Sequence, residues 1–129
     1  ALPYYSGLYT LDMHGLTEPH VAREGDDFIP VPGHTRIATF DYMADRGVHL
    51  VFDFARVLPD GVDSRQDYCR EARDEFHELD ALRSTDARLL VWHLDKTRHI
   101  LAVYLTPHPA VDRIAADRRL TTFPVANCL

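Results

Sequence analysis

The chain has 129 residues, of which 46% are hydrophobic and 26% charged, and its formal net charge is −6. This size and composition predict a single globular domain that buries enough surface to fold without the support of disulfides or metal ions. The acidic balance disfavours nucleic-acid binding, which needs clustered basic side chains. No apolar stretch approaches the ~20 residues of a membrane span, so we expect no membrane association.

Residues 1–34 differ from the rest of the chain because proline and glycine interrupt every helical pattern. We expect an extended N-terminal arm there, with a short strand at Leu8–Leu11. The arm carries Tyr4, Tyr5 and Tyr9, whose amphipathic rings are typical of interfaces. We therefore expect the arm to pack on its own domain or on another chain.

Residues 35–129 are predicted to form one α+β domain with an antiparallel sheet. In chain order we predict strands at Thr35–Met43 and Val48–Ala55, a helix capped by Asp63 or Ser64 and ended by Ser84, strands at Leu89–Leu94 and Ile100–Leu105, a helix at Ala110–Arg119 and a strand at Thr121–Val125. From Val48 onward this is the ferredoxin-like β-α-β-β-α-β order, preceded by an extra strand. Element order does not determine strand pairing, so a ββαββα arrangement remains open.

The predicted sheet is apolar on both sides. One side collects Leu50, Phe52, Phe54, Leu90, Trp92, Leu94, Ile100, Ala102 and Tyr104, and we expect both helices, one long and one short, to pack there. The other side collects Val51, Leu89, Val91, Leu101, Val103 and Leu105, mixed with His49, Asp53, His93, Asp95 and His99. A solvated antiparallel face is mostly polar. We therefore expect the arm, a second copy of the chain or a ligand to cover this second side.

Four residues on that second side are the candidate catalytic group: His49, Asp53, His93 and His99. His93 and His99 flank a hairpin turn, where cross-strand side chains approach each other. His49 and Asp53 lie about 13 Å apart along one strand, too far to bind one ion. We therefore predict neither a metal nor a cofactor. The alternative is that these are half-solvated or salt-bridged residues at strand ends.

The long helix carries a stripe of acidic residues, Asp67, Glu71, Asp74 and Glu78, with no basic partner on the same line. Such a stripe is most often a solvated helix face. It also suits docking of a basic partner, because charge complementarity gives specificity.

The two cysteines, Cys69 and Cys128, form no zinc-binding pattern. Cys69 falls on the apolar stripe of the helix, where a thiol acts as a small hydrophobe. We expect two reduced thiols and a cytoplasmic location, with one disulfide as the alternative.

Two functions from different classes follow. The first is a small module, regulatory, structural or of the immunity or antitoxin kind, that binds a protein partner or self-associates through the acidic helix, the apolar sheet face and the aromatic arm. The second is a cofactor-independent enzyme or small-ligand binder, with Asp53 and nearby histidines as acid and base. A flat exposed patch favours the first, and a closed cavity lined by Asp53 and histidines favours the second.

Overall fold

A computed structural model describes residues 9–32, 35–52, 56–57, 64–96 and 98–129, with only the backbone of 56–57. The chain divides into two compact units, Ala1–Met43 and Ala44–Leu129. Each unit has buried apolar side chains of its own. The predicted boundary after residue 34 therefore falls inside the first unit.

The first unit contains regular structure where the sequence predicts an extended arm. Helix α1 (Pro19–Glu24) begins at a proline, whose fixed φ suits the first helical position. Strands β1 (Asp26–Asp27) and β2 (Arg36–Ile37) pair antiparallel. Residues 9–11 form no strand, so the described part of the strand predicted at Leu8–Leu11 is wrong.

Helix α2 (Phe40–Asp45) replaces most of the strand predicted at Thr35–Met43. The reason is a helix cap, because the Thr39 hydroxyl accepts a hydrogen bond from the Tyr42 N–H at 3.2 Å. The predicted turn after it is present, and Gly47 adopts a φ of 71°, which favours glycine. That turn joins a helix to a strand, not two strands of a hairpin.

The second unit contains two α-helices and a five-stranded antiparallel sheet among its described residues. Its elements are β3 (Leu50–Phe52), β4 (Arg56–Val57), α3 (Arg65–Glu75), β5 (Arg88–His93), β6 (Arg98–Tyr104), α4 (Pro109–Ala115) and β7 (Leu120–Pro124), with 3-10 helices at Leu79–Leu82 and Val125–Cys128. The strand order is β3-β6-β5-β7, and β4 also pairs with β6. The α+β class is confirmed. The ferredoxin-like arrangement is not confirmed.

Helix α3 begins where the sequence predicts and ends earlier. Ser64 caps it, since its hydroxyl accepts from the Asp67 N–H at 3.2 Å, while the Asp67 carboxylate accepts from the Ser64 N–H at 3.3 Å. The helix ends at Glu75. Glu78, which the sequence places on the same helix, instead has a left-handed φ of 56°.

The two helices of this unit pack on opposite faces of the sheet, so the prediction that both share one face is wrong. Helix α4 packs its Val111 against the side of Leu90, Ala102 and Tyr104. Helix α3 covers the other side, where Tyr68 contacts the rings of His93 and His99. We call this second side the closed face; its apolar members, each at most 3% exposed, are Val51, Leu89, Val91, Leu101, Val103 and Phe123.

The prediction of two free thiols is wrong, because Cys69 and Cys128 form a disulfide. The bond joins α3 to the 3-10 helix that follows β7, across a sequence separation of 59 residues. The Arg73 guanidinium adds a second tie to this segment by donating a hydrogen bond to the Cys128 carbonyl at 2.7 Å. This disulfide is the alternative that the sequence analysis left open, and only the folded chain brings two positions so far apart together.

Candidate functional site

The hairpin of β5 and β6 brings two of the predicted catalytic residues together. His93 and His99 are direct cross-strand partners, and their ring centroids lie 4.7 Å apart. The His93 Nε2 atom lies 3.0 Å from the Thr121 hydroxyl on β7. The approach predicted from the spacing is therefore present.

This histidine pair lies at the edge of the closed face, under α3. The Tyr68 ring lies 6.0 Å from the His93 ring and 5.6 Å from the His99 ring. Tyr68 and His99 are both buried. The Tyr68 ring and the Thr121 hydroxyl lie against the two imidazoles. The arrangement is that of packed aromatic side chains.

His49 lies at the opposite end of the sheet from this pair. Its Nδ1 atom is 2.7 Å from the Thr106 hydroxyl, which in turn donates to the Val48 carbonyl. The His108 ring lies beside it in a tilted arrangement, with ring centroids 4.5 Å apart. These contacts tie the start of β3 to the chain that leaves β6. Asp53 lies outside the described residues, so of the four predicted residues the structure assembles His93 and His99.

The acidic stripe predicted on the long helix is broken in two ways. The Arg70 guanidinium contacts the Asp67 carboxylate at 2.9 Å and the Glu71 carboxylate at 3.9 Å, so the prediction of no basic partner is wrong. Hydrogen bonding by the Ser64 side chain lowers the pKa of Asp67. Glu78 lies beyond the helix, and only Asp74 remains as a helical member that is exposed. Two of the four acidic residues, Asp67 and Glu71, therefore belong to the capped and ion-paired first turns of the helix.

The aromatic arm is described only at Tyr9, whose side chain is 74% exposed. Tyr4 and Tyr5 lie outside the described residues. The predicted interface role of these three tyrosines therefore stays a prediction.

The face of the sheet that carries α4 is only half covered. Trp92 and Ile100, which are cross-strand partners, remain partly exposed there, as does Leu120 on β7. Phe52 is 40% exposed, Leu94 47% and Ile114 of α4 42%. We call this surface the tryptophan patch; its members are Phe52, Trp92, Leu94, Ile100, Ile114 and Leu120.

A cleft of about 430 Å³ opens at one side of the tryptophan patch. It is lined by Trp92, Ala110, Arg113, Ile114, Asp117, Arg119 and Leu120. The volume falls within the range of small binding clefts. Its walls join one large aromatic ring to two arginines, a combination that holds an apolar group beside an anionic one.

One arginine of this cleft, Arg119, is paired with an acid. The Arg119 guanidinium contacts the Asp117 carboxylate through two nitrogens, at 3.0 and 2.8 Å, and lies 5.7 Å from the centre of the Trp92 ring. These hydrogen bonds from the Arg119 side chain lower the pKa of Asp117 to about 2. The pair fixes the guanidinium over the indole, which is a favourable cation–π arrangement.

The sequence analysis did not predict this cleft, because it expected both helices to pack on the side of the sheet that carries Trp92. The available signal was the alternation itself, which already places Trp92, Leu94 and Ile100 on one side of the hairpin. Knowing that one short helix packs there requires the tertiary structure.

The chain belongs to a family described as "Domain of unknown function (DUF8728)", which matches residues 1–116. The match therefore spans the whole first unit and most of the second, and it ends before β7 and Cys128. No curated protein and no solved structure matches the chain. Among the described residues, every helix is too short or too polar to cross a membrane.

Proposed function

We propose that this protein is a binding module that docks a protein partner on the tryptophan patch. One observation carries the proposal: the large apolar side chains most exposed in the described part of the second unit, Phe52, Leu94 and Ile114, all lie on this one side. Contiguous exposed apolar surface is typical of interaction sites. Aromatic and arginine side chains such as Trp92 and Arg119 are enriched at the centres of interfaces.

The enzymatic alternative has less support from the geometry. An enzyme site of the predicted kind places its acid and base in a cleft that also receives the substrate. The cleft beside Trp92 has none of His49, His93 and His99 among its lining residues. The histidine pair lies instead on the closed face, against Tyr68.

The disulfide bears on where this module works. Bonds such as Cys69–Cys128 persist mainly in oxidising compartments, whereas cytosolic thiols are usually kept reduced. We therefore favour an oxidising compartment over the cytoplasm that the cysteine pattern predicts. Rapid acidification of the source cells to trap the thiols, then alkylation of the denatured protein at neutral pH and mass measurement, tests this. Alkylation of both cysteines without prior reduction contradicts it.

Affinity capture with a matched pair of variants tests the binding function. The full chain is used as bait in an extract of its source cells, alongside Ile114→Glu and the control Leu16→Glu, and captured proteins are quantified by mass spectrometry. Leu16 is a suitable control because its side chain is 67% exposed and lies in the first unit.

We expect a partner that the wild-type chain and Leu16→Glu recover equally and that Ile114→Glu recovers about tenfold less, the effect of a charge placed in an apolar interface. Equal recovery by all three baits contradicts the patch as the docking surface. Loss with Leu16→Glu alone moves the interface to the first unit. Native mass measurement of the purified protein shows whether the occupant is a second copy.

A further inference from the structure

The charges around the tryptophan patch differ in sign from those of the whole chain. The chain carries a net charge of −6, yet the charged residues that line the cleft are two arginines, Arg113 and Arg119, and one acid, Asp117. The acid in the lining, Asp117, is already occupied by Arg119. The cleft therefore presents excess positive charge next to exposed apolar surface.

Arg113 is the cation of this cleft that is open to a new partner. Its neighbour Asp112 is directed elsewhere, since its carboxylate accepts a hydrogen bond from the Tyr104 hydroxyl at 2.7 Å. No ion pair joins Arg113 to any residue in the described part of the chain. Its side chain is exposed and projects from α4 next to Ile114.

We propose that the partner docks here through a segment that places an aspartate or glutamate beside a large apolar side chain. The Arg113 guanidinium binds the carboxylate, for which its planar fork is suited. The neighbouring apolar side chain packs on Trp92 and Ile114. This inference rests on the proposed function and names the chemistry of its partner.

Local charge outweighs the net charge at this site. At physiological ionic strength, interactions between exposed charges are largely screened beyond about 8 Å. The affinity for an acidic segment in the cleft is therefore determined by Arg113 and by the paired Arg119 and Asp117, and not by distant acids. The long-range repulsion reduces the rate of encounter more than the affinity.

The same charges disfavour a symmetric pair of two copies. In a two-fold dimer the same surface meets itself, so a cleft with excess positive charge faces a second cleft with the same excess. Like charges brought together in this way destabilise an interface. A partner segment of opposite charge avoids this repulsion.

The test uses Trp92 as its reporter, because it is the chain's one tryptophan. Its fluorescence is followed while the full chain is titrated with a short capped peptide of alternating aspartate and leucine. The matched probe has asparagine in place of each aspartate. Both titrations are repeated with Arg113→Gln and with the control Arg83→Gln, an exposed arginine outside the patch.

We expect saturable binding of the aspartate peptide, with affinity about five- to tenfold lower for the asparagine peptide and for Arg113→Gln, the net effect of one solvent-accessible hydrogen bond. Arg83→Gln leaves the affinity unchanged. Binding also weakens as salt is raised. Equal affinity for both peptides, or an unchanged affinity of Arg113→Gln, overturns the acidic partner segment. Absence of binding by either peptide at millimolar concentration overturns it as well.

These outcomes are separate from those of the capture experiment. A partner that is lost with Ile114→Glu but retained with Arg113→Gln supports the docking surface and overturns the acidic segment. A partner that is retained with Ile114→Glu contradicts the docking surface itself, whatever the peptides do.

Discussion

The two faces of the main sheet are built from the same strands, but one face is buried and the other is partly exposed. Leu89, Val91 and Val103 on the closed face are fully buried. Trp92 and Ile100, their neighbours on β5 and β6, remain partly exposed on the other face. The difference lies in what covers each face, because the strands themselves are apolar on both sides.

Helix length accounts for much of this difference. The 11 residues of α3 span about 16 Å, whereas the 7 residues of α4 span about 10 Å. Strand β6, with 7 residues, is about 23 Å long. The long helix, joined to the chain end by the disulfide, covers its face. The short helix leaves one end of its face open, and that end is the tryptophan patch.

The largest expected difference between the two faces is in the free energy of unfolding lost when a leucine in or next to β5 is replaced by alanine. Leu89 is 0% exposed and Leu94 is 47% exposed. Leu89→Ala leaves a cavity under α3, so we expect it to lower the free energy of unfolding by about 2–5 kcal/mol. Leu94→Ala is expected to change it by less than about 0.5 kcal/mol. Urea denaturation followed by circular dichroism measures both, and equal losses contradict the assignment of the faces.

Removal of the disulfide tests how the closed face is held. The Cys69→Ser/Cys128→Ser variant is expected to lose about 2–4 kcal/mol of unfolding free energy, since the bond closes a long loop in the unfolded chain. Reductant should lower the urea midpoint of the wild-type chain to a similar extent and leave the variant unchanged. A variant as stable as the oxidised wild-type chain shows that the bond contributes no stability.

The smallest expected effect is the pH dependence of stability that arises from Asp117, on the face that carries the tryptophan patch. The folded pKa of Asp117 is about 2 because the Arg119 side chain donates hydrogen bonds to it, and an unfolded aspartate titrates near 3.9. Pairing therefore stabilises the fold above about pH 4, and this contribution is lost as the pH falls towards about 2.

Carboxyl carbon NMR measures the pKa of Asp117 directly. Because Arg119 lies over the Trp92 ring, the tryptophan fluorescence should change over the same pH range. The pair is exposed, so the effect on stability is small. Asp117→Asn should abolish the fluorescence step, and a carboxyl midpoint near 3.9 contradicts the pairing.

Local signals predicted the local elements well. The cap at Ser64, the start of α4 within one residue of Ala110 and the cross-strand approach of His93 and His99 are all present. Each depends on residues close together in the chain or on the fixed geometry of a hairpin. The strand predicted at Thr35–Met43 is wrong because Thr39 caps a helix, α2, that begins inside this range.

The sequence by itself determined that the chain has an α+β fold and that its sheet is apolar on both sides, because alternation and capping act over a few residues. Only the tertiary structure decided which helix covers which face and that Cys69 pairs with Cys128. Any amphipathic helix can pack on an apolar sheet face, so the hydrophobic pattern alone does not determine which of the two helices packs on which face. The choice depends on contacts between distant segments, and it determines which apolar residues remain exposed for a partner.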